Sequence, residues 1–97
     1  MINVVVRENN DLIKDIVVSG HSGYDDLGKD IVCSAVSTAM YVTVGLLEKF
    51  DCNINFTSDE SIPSMNLEII NNDEITNKIL ENLVDTLKGI AIDYSQE

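Results

Sequence analysis

The chain of 97 residues contains a single histidine and two cysteines, and His21 and Cys33 share one short glycine-rich stretch. A deprotonated thiol is a strong nucleophile, and an imidazole can take the thiol proton and later return it to a leaving amine. This pair therefore suggests covalent catalysis on an acyl or peptide bond. The competing interpretations are that Cys33 is a small core residue and that His21 is a solvated loop residue.

The elements around this pair can be predicted from the sequence pattern. Alternating apolar residues predict a strand at about residues 1–8, and a segment rich in Ile and Val predicts a second at about residues 12–19; the two form a hairpin ahead of the histidine. Residues 20–30 contain three glycines and read as a loop of a length that is usually functional. A helix is then expected from about Asp30 to Phe50, with Asp30 as its N-cap.

This arrangement places Cys33 in the first turn of the predicted helix. The helix dipole and the unpaired N–H groups there favour a thiolate, and the same N–H groups can bind a developing oxyanion. Asp25, Asp26 and Asp30 are candidates for orienting the imidazole, and the competing interpretation of Asp30 is that it only caps the helix. Ser37 shares a helix face with Cys33 and could bond the thiol, the substrate or a backbone carbonyl.

The rest of the chain predicts two more strands and a second helix. The strands alternate at about residues 52–57 and 65–69, and the helix begins within residues 71–74 and extends to near Tyr94. The order β-β-α-β-β-α indicates a single α+β domain over residues 1–97, with a mainly antiparallel four-stranded sheet and two helices on one face. The first helix is apolar on most of its circumference, so the sheet and either the second helix or another subunit must cover it.

The composition excludes several function classes. The chain has 17 acidic and 6 basic residues and a formal charge of −11, which predicts repulsion from nucleic acid and anionic lipid and a better match to a basic partner. The competing interpretation is that the acidic residues serve only to keep the protein in solution. The uncharged stretch at residues 31–47 is too short for a membrane span. No Cys/His cluster is present, so we expect no metal and no cofactor.

The cysteines and the N-terminus bear on the cellular compartment. The N-terminal residues lack the pattern of a secretory signal, which predicts a cytoplasmic, reducing location and no structural disulfide. Cys52 continues the apolar face of the third predicted strand and has no helix start or histidine near it in the sequence. We therefore expect Cys52 to be inert.

The string GHSGYDDLGKDIVCSAVS at residues 20–37 closely resembles the signature of the ribosomal-processing cysteine protease family, Prp. The family pattern is Gly-His, a later Gly, then Asp-Ile-Val-Cys and a Ser four residues after the Cys, and all of these positions are met. Ser22 and Ser34 stand where Ala is more common, and neither position is a chemical requirement. The length and element order also fit, so the resemblance extends over the whole chain.

The resemblance implies an endopeptidase that removes the short N-terminal extension of a large-subunit ribosomal protein, after a Phe-containing segment, as ribosome assembly requires. It implies that Cys33 is the nucleophile and His21 the base, with Asp30 and Ser37 in supporting roles. It also implies a homodimer and a mobile loop that closes over the peptide. The residues assigned to that substrate-binding loop are Gly20, Ser22, Gly23, Tyr24 and Gly28.

Two other functions remain open from the residues alone. The chain could be a non-catalytic, ribosome-associated module whose acidic surface binds a basic peptide without cutting it. A thiol redox role ranks lower, because no resolving partner lies near Cys33 in the sequence.

Overall fold

The structure is a computed structural model that describes residues 2–20, 27–59, 64–90 and 93–96, with the backbone but not the side chains of residues 27–33 and 93–96. These parts of the chain form five strands and two helices. In chain order the elements are β1 (Asn3–Asn9), β2 (Leu12–Ser19), α1 (Leu27–Lys49), β3 (Asn53–Asp59), β4 (Ser64–Asn71), α2 (Glu74–Lys88) and β5 (Asp93–Gln96).

The strands form one sheet in the order β3-β4-β2-β1-β5. The pairs β1/β2, β2/β4 and β3/β4 are antiparallel, which confirms the predicted mainly antiparallel four-stranded sheet with two helices. The fifth strand is an addition to that prediction, because β5 pairs in parallel with β1 at the sheet edge.

The end of the second helix differs from the prediction. The sequence pattern extends this helix to near Tyr94, which is wrong, because α2 ends at Lys88. The backbone N–H of Gly89 donates to the carbonyl oxygen of Thr86 at 3.1 Å, which tightens the last turn and satisfies a terminal carbonyl. The helix ends there, and Tyr94 belongs to strand β5.

The first helix begins earlier than predicted. It starts at Leu27, so Asp30 is a helical residue of the first turn and the prediction that it is the N-cap is wrong. Gly28 also lies in this helix and not in the preceding loop. Glycine costs a helix only about 1 kcal/mol relative to alanine, and a long helix that packs against a sheet can tolerate that cost near its end.

The core lies between the sheet and the two helices. Helix α1 contributes one stripe of buried side chains about a turn apart, Val36, Met40, Val44 and Leu47. Helix α2 contributes Thr76, Leu80, Leu83, Val84 and Leu87. The central strands contribute Val4, Val6, Ile16, Val18, Leu67 and Ile69. Within the described parts of the chain, neither helix combines the length and the apolar character that crossing a bilayer requires.

A small polar network joins α2 to the sheet at the end where β2 begins. The Oδ1 atom of Asn77 accepts hydrogen bonds from the backbone N–H of Ile13 and from Nδ2 of Asn72, each at 3.0 Å. The same Nδ2 of Asn72 donates to the carbonyl oxygen of Ile13 at 2.7 Å. These bonds satisfy partly buried backbone groups, so their loss leaves polar atoms without partners.

Replacing Asn77 by alanine should lower the free energy of unfolding by about 1–3 kcal/mol, because Ile13 and Asn72 would each lose an acceptor in a partly buried site. Urea denaturation followed by circular dichroism measures this change. Asn82→Ala is the matched control, since Asn82 is an exposed residue of the same helix. An equal loss in both variants would show that helix propensity, and not the network, is responsible.

The N-cap of helix α2 is Asp73, which lies within the predicted helix start at residues 71–74. The backbone N–H of Thr76 donates to Oδ1 of Asp73 at 2.8 Å, and this bond holds the pKa of Asp73 below its ordinary value of 3.8. Because the pKa of Asp73 is lower in the folded state, its carboxylate stabilises the fold at pH values above its ordinary pKa. That contribution is lost as the pH falls through the lowered pKa.

We therefore expect Asp73→Ala to lower the Tm at neutral pH and to differ less from the parent protein in acid. Thermal melts from pH 7 down to about pH 2 measure the difference. Asp73→Asn is the control, because asparagine also caps a helix but does not titrate. The gap between the Asn and Ala variants should stay constant with pH, and a parent-to-Ala gap that is equally constant would contradict the role of the charge.

Candidate active site

A cleft of about 380 Å³ opens between α1 and one end of the sheet. The apolar side chains that line it are Ile2, Val18, Val36, Tyr41 and Met65. The remaining lining residues are small or polar and are Gly20, Ser37, Ser58, Asp59 and Ser64. This mixture of an apolar surface and a few polar groups is typical of a site that binds an organic ligand or a peptide side chain.

Ser37 is the predicted supporting residue that the structure places in this cleft. It is half-buried and lies on α1 between the buried residue Val36 and the exposed residue Thr38. Cys33 precedes Ser37 by one helical turn on the same helix, so the two positions follow one another along the helix surface. The supporting role of Ser37 stays a prediction, and its location is compatible with it.

Cys33 belongs to the second turn of α1, because the helix starts at Leu27. The prediction that it lies in the first turn is therefore wrong. Only the first four N–H groups of a helix lack an intrahelical acceptor, and that of Cys33 falls beyond them. Any oxyanion donors supplied by the helix start would come from residues before Cys33, and its thiol lies outside the described side chains.

His21, the other residue of the predicted catalytic pair, follows Gly20 in the chain. Gly20 directly follows the last residue of β2, lines the cleft and has a φ of 98°, a left-handed conformation that a glycine adopts without a steric penalty. His21, Ser22, Gly23 and Tyr24 lie outside the described residues, so their predicted roles stay predictions. The structure thus brings the covalent neighbour of His21 into the same cleft as Ser37.

Tyr41 is a cleft residue that the sequence analysis did not identify. Its ring meets that of Phe56 on β3 edge to face, with ring centroids 5.6 Å apart and an interplanar angle of 79°. Such pairs are worth about 0.5–1.5 kcal/mol and fix the orientation of the ring. A local signal existed, because Cys33, Ser37 and Tyr41 follow one another at intervals of four residues.

The polar residues from β3 and β4 had no comparable signal. Asp59 and Ser64 are cross-strand partners at the end of the β3/β4 ladder, and Ser64 also pairs with Ser19 of β2. Their arrival beside α1 depends on the order of strands in the sheet, which sequence spacing does not reveal. They add hydroxyl groups and a carboxylate to the rim of the cleft.

Cys52, the second cysteine, lies away from this cleft. It precedes β3, packs partly against the core and accepts a hydrogen bond at its Sγ atom from Oγ1 of the buried residue Thr76, at 3.1 Å. This contact gives Cys52 a structural role between α2 and the start of β3. Its expected chemical inertness stays a prediction, and its position agrees with it.

Comparisons with known proteins identify a family model and a curated relative that match this chain. The sequence model of the family described as cysteine protease Prp matches residues 1–97. The ribosomal processing cysteine protease Prp of Mycoplasma pneumoniae is 34% identical over 85 residues, which are 84% of this chain and 79% of that protein.

Two solved structures share the fold. The ribosomal processing protease Prp from S. aureus in complex with a substrate peptide has a TM-score of 0.91 and 19% identity, with 100% of both chains covered. The same protease with a covalently linked product peptide has a TM-score of 0.86 and 19% identity, again over 100% of both chains.

The family match spans the same residues that carry the Gly-His to Cys signature and the cleft beside it. The relative from M. pneumoniae covers 84% of this chain at an identity that indicates common descent. With the fold shared as well, the chain belongs to the cysteine protease Prp family and is a cysteine protease.

Proposed function

We propose that Cys33 is the nucleophile of this protease and that His21 is its general base. The observation that supports this most directly is that Gly20 and Ser37 line the same cleft. Gly20 is the neighbour of His21 in the chain, and Ser37 lies one helical turn after Cys33. The two chain segments that carry the family motif therefore meet around one ligand-sized space. A nucleophile and a base must approach each other in this way for proton transfer.

The reaction follows from the chemistry of these two groups. His21 takes the thiol proton, and the thiolate of Cys33 attacks the scissile carbonyl carbon to form a tetrahedral oxyanion. The oxyanion collapses, the C–N bond breaks, and the imidazolium donates its proton to the leaving amine. Water, deprotonated by His21, then hydrolyses the thioester and releases the carboxylate product and the free thiol.

Two supporting roles complete this proposal. Ser37 is half-buried at the cleft wall, where its hydroxyl can hold the substrate or the thiol. Asp30, in the first turn of α1, would orient the imidazole of His21. The substrate-binding loop assigned by the family resemblance would cover the bound peptide from residues that precede this helix.

The proposed substrate is a large-subunit ribosomal protein with a short N-terminal extension, which the enzyme would remove in the cytoplasm. The names of the relatives connect those proteins with ribosomal processing. The apolar lining of the cleft suits a segment that contains phenylalanine, and the formal charge of −11 suits a basic ribosomal protein. This activity would make the protease necessary for ribosome assembly.

Cleavage of the extended ribosomal protein can be followed by mass spectrometry. We expect the parent protein to remove the extension and Cys33→Ala to reduce kcat/KM by at least about 1000-fold, because the covalent route is lost. Cys52→Ala is the matched control and should retain activity, since Cys52 does not line the cleft.

Two outcomes would contradict the proposal in different ways. Continued trimming by Cys33→Ala would show that another group is the nucleophile. Binding of the extended protein by both the parent protein and Cys33→Ala, without cleavage by either, would support a peptide-binding module for this substrate.

We also propose that the chain forms a homodimer through an exposed apolar strip on α1. The strip consists of Val42 and Leu46 of α1 and of Phe50, the residue directly after the helix, which follow one another at intervals of four residues and are 65%, 43% and 56% exposed. Gly45 lies beside the strip, and no atom would come within 4 Å of a Cβ placed on it, so this surface is open. Covering the strip with a second copy would remove apolar area from water.

Replacing Leu46 by glutamate should shift the protein from dimer to monomer, because a charge at the centre of an apolar interface is costly to bury. Sedimentation velocity over a range of concentrations measures the mass. Ile75→Glu is the control, since Ile75 is 55% exposed on α2 and lies outside the strip. A parent protein that sediments as a monomer at all concentrations would refute the dimer and leave the protease proposal intact.

A further inference from the structure

We infer that Tyr41 is a specificity-determining residue that forms the wall of a subsite for a large apolar side chain of the substrate. This inference rests on the proposed function of the cleft and goes beyond it by naming a residue and a substrate side chain. Tyr41 lines the cleft and is 52% exposed, although it is a large aromatic residue on a well-packed helix. Most of the other side chains on that apolar wall are buried.

The ring of Tyr41 is held in place before any substrate binds. Its edge-to-face contact with Phe56 anchors it against β3, and Phe56 in turn packs against the core. A side chain that is already ordered loses little conformational entropy when a ligand packs on it. Tyr41 is therefore suited to bind an apolar group by contact with its exposed ring surface.

The composition of this end of the cleft specifies what it can bind. Tyr41 and Met65 offer an aromatic ring and a flexible thioether, and Ser58 adds a hydroxyl at the end of β3. Apolar surface predominates there, so a leucine, methionine or phenylalanine side chain is a better match than a charged one.

The distance from the proposed nucleophile follows from helix geometry. Tyr41 lies two turns beyond Cys33 on α1, which corresponds to about 12 Å along the helix axis. An extended peptide rises about 3.3 Å per residue, so Tyr41 would contact a residue about three or four positions from the scissile bond.

The test measures peptide binding separately from cleavage. Cys33→Ala is used as the parent so that the peptides are not consumed, and fluorescein-labelled peptides carry one phenylalanine that is moved one position at a time through an alanine-serine background. We expect one position to bind best, and Tyr41→Ala to weaken that peptide by about 5- to 20-fold with little effect on the others. Tyr41→Phe should bind like the parent, because the ring and not the hydroxyl makes the contact.

The matched control is Ile75→Ala, which truncates an apolar side chain of similar exposure outside the cleft and should leave every peptide unchanged. Equal weakening of all peptides by Tyr41→Ala, or an equal loss in Tyr41→Phe, would overturn the inference. Mass spectrometry of the products made by the active enzyme then locates the cut, and a best position adjacent to it would also overturn the assignment. Absence of cleavage, with the binding preference preserved, would count against the proposed function and support the subsite.

Discussion

The burial of one stripe of α1 against the sheet determines where every other surface of that helix lies. Val36 and Met40 are 1% and 0% exposed, so the rotation of the helix about its axis is fixed by close packing. Each following residue is turned by about 100°, which brings Ser37 and Tyr41 to the cleft side of the stripe. The next positions, Thr38 and Val42, point away from the core and are exposed. A single packing contact therefore sets the cleft wall and the outer surface together.

The two ends of the sheet differ in structure and role. At the end where β2 begins, Asn72 and Asn77 satisfy backbone groups of Ile13 and attach α2 to the sheet. At the opposite end, where β2 finishes at Ser19 and Gly20 follows, the strands stop beside α1 and leave the cleft open. A ligand site needs unfilled space, and unfilled space costs packing energy. Because these two features lie at opposite ends of the strands, one small domain can hold both the polar attachment of α2 and the open cleft.

Much of the fold could be predicted from local patterns, and the errors occur where non-local contacts decide. The Ile and Val content of β2, the alternation in β4 and the apolar stripes of both helices predicted the presence and order of these elements, although one end of each helix was misplaced. Strand β5 was missed because four residues at Asp93–Gln96 carry little periodic signal, and pairing with the edge of β1 supplies what the local sequence lacks. The start of α1 was misplaced because Gly28 resembles a loop residue, although the helix behind it can accommodate a glycine.

The candidate site shows the same division. The sequence predicted that Ser37 shares a helix face with Cys33, because residue spacing on a helix is a local property. Tyr41 continues the same four-residue spacing and could have been predicted in the same way. Ser58 and Asp59 resembled ordinary turn-flanking residues, and only the strand order brings them to the cleft.

The consecutive residues Tyr41 and Val42 connect the two proposed surfaces of α1. Tyr41 faces the cleft, whereas Val42 begins the exposed apolar strip, and about 100° of helix rotation separates them. A second copy seated on the strip would therefore lie beside the far end of the cleft, and not beside Cys33. Dimerisation would then affect the subsite wall more than the nucleophile. Because the helix is rigid and its inner stripe is buried, a shift of α1 at the dimer interface would move Ser37 and Tyr41 as one unit.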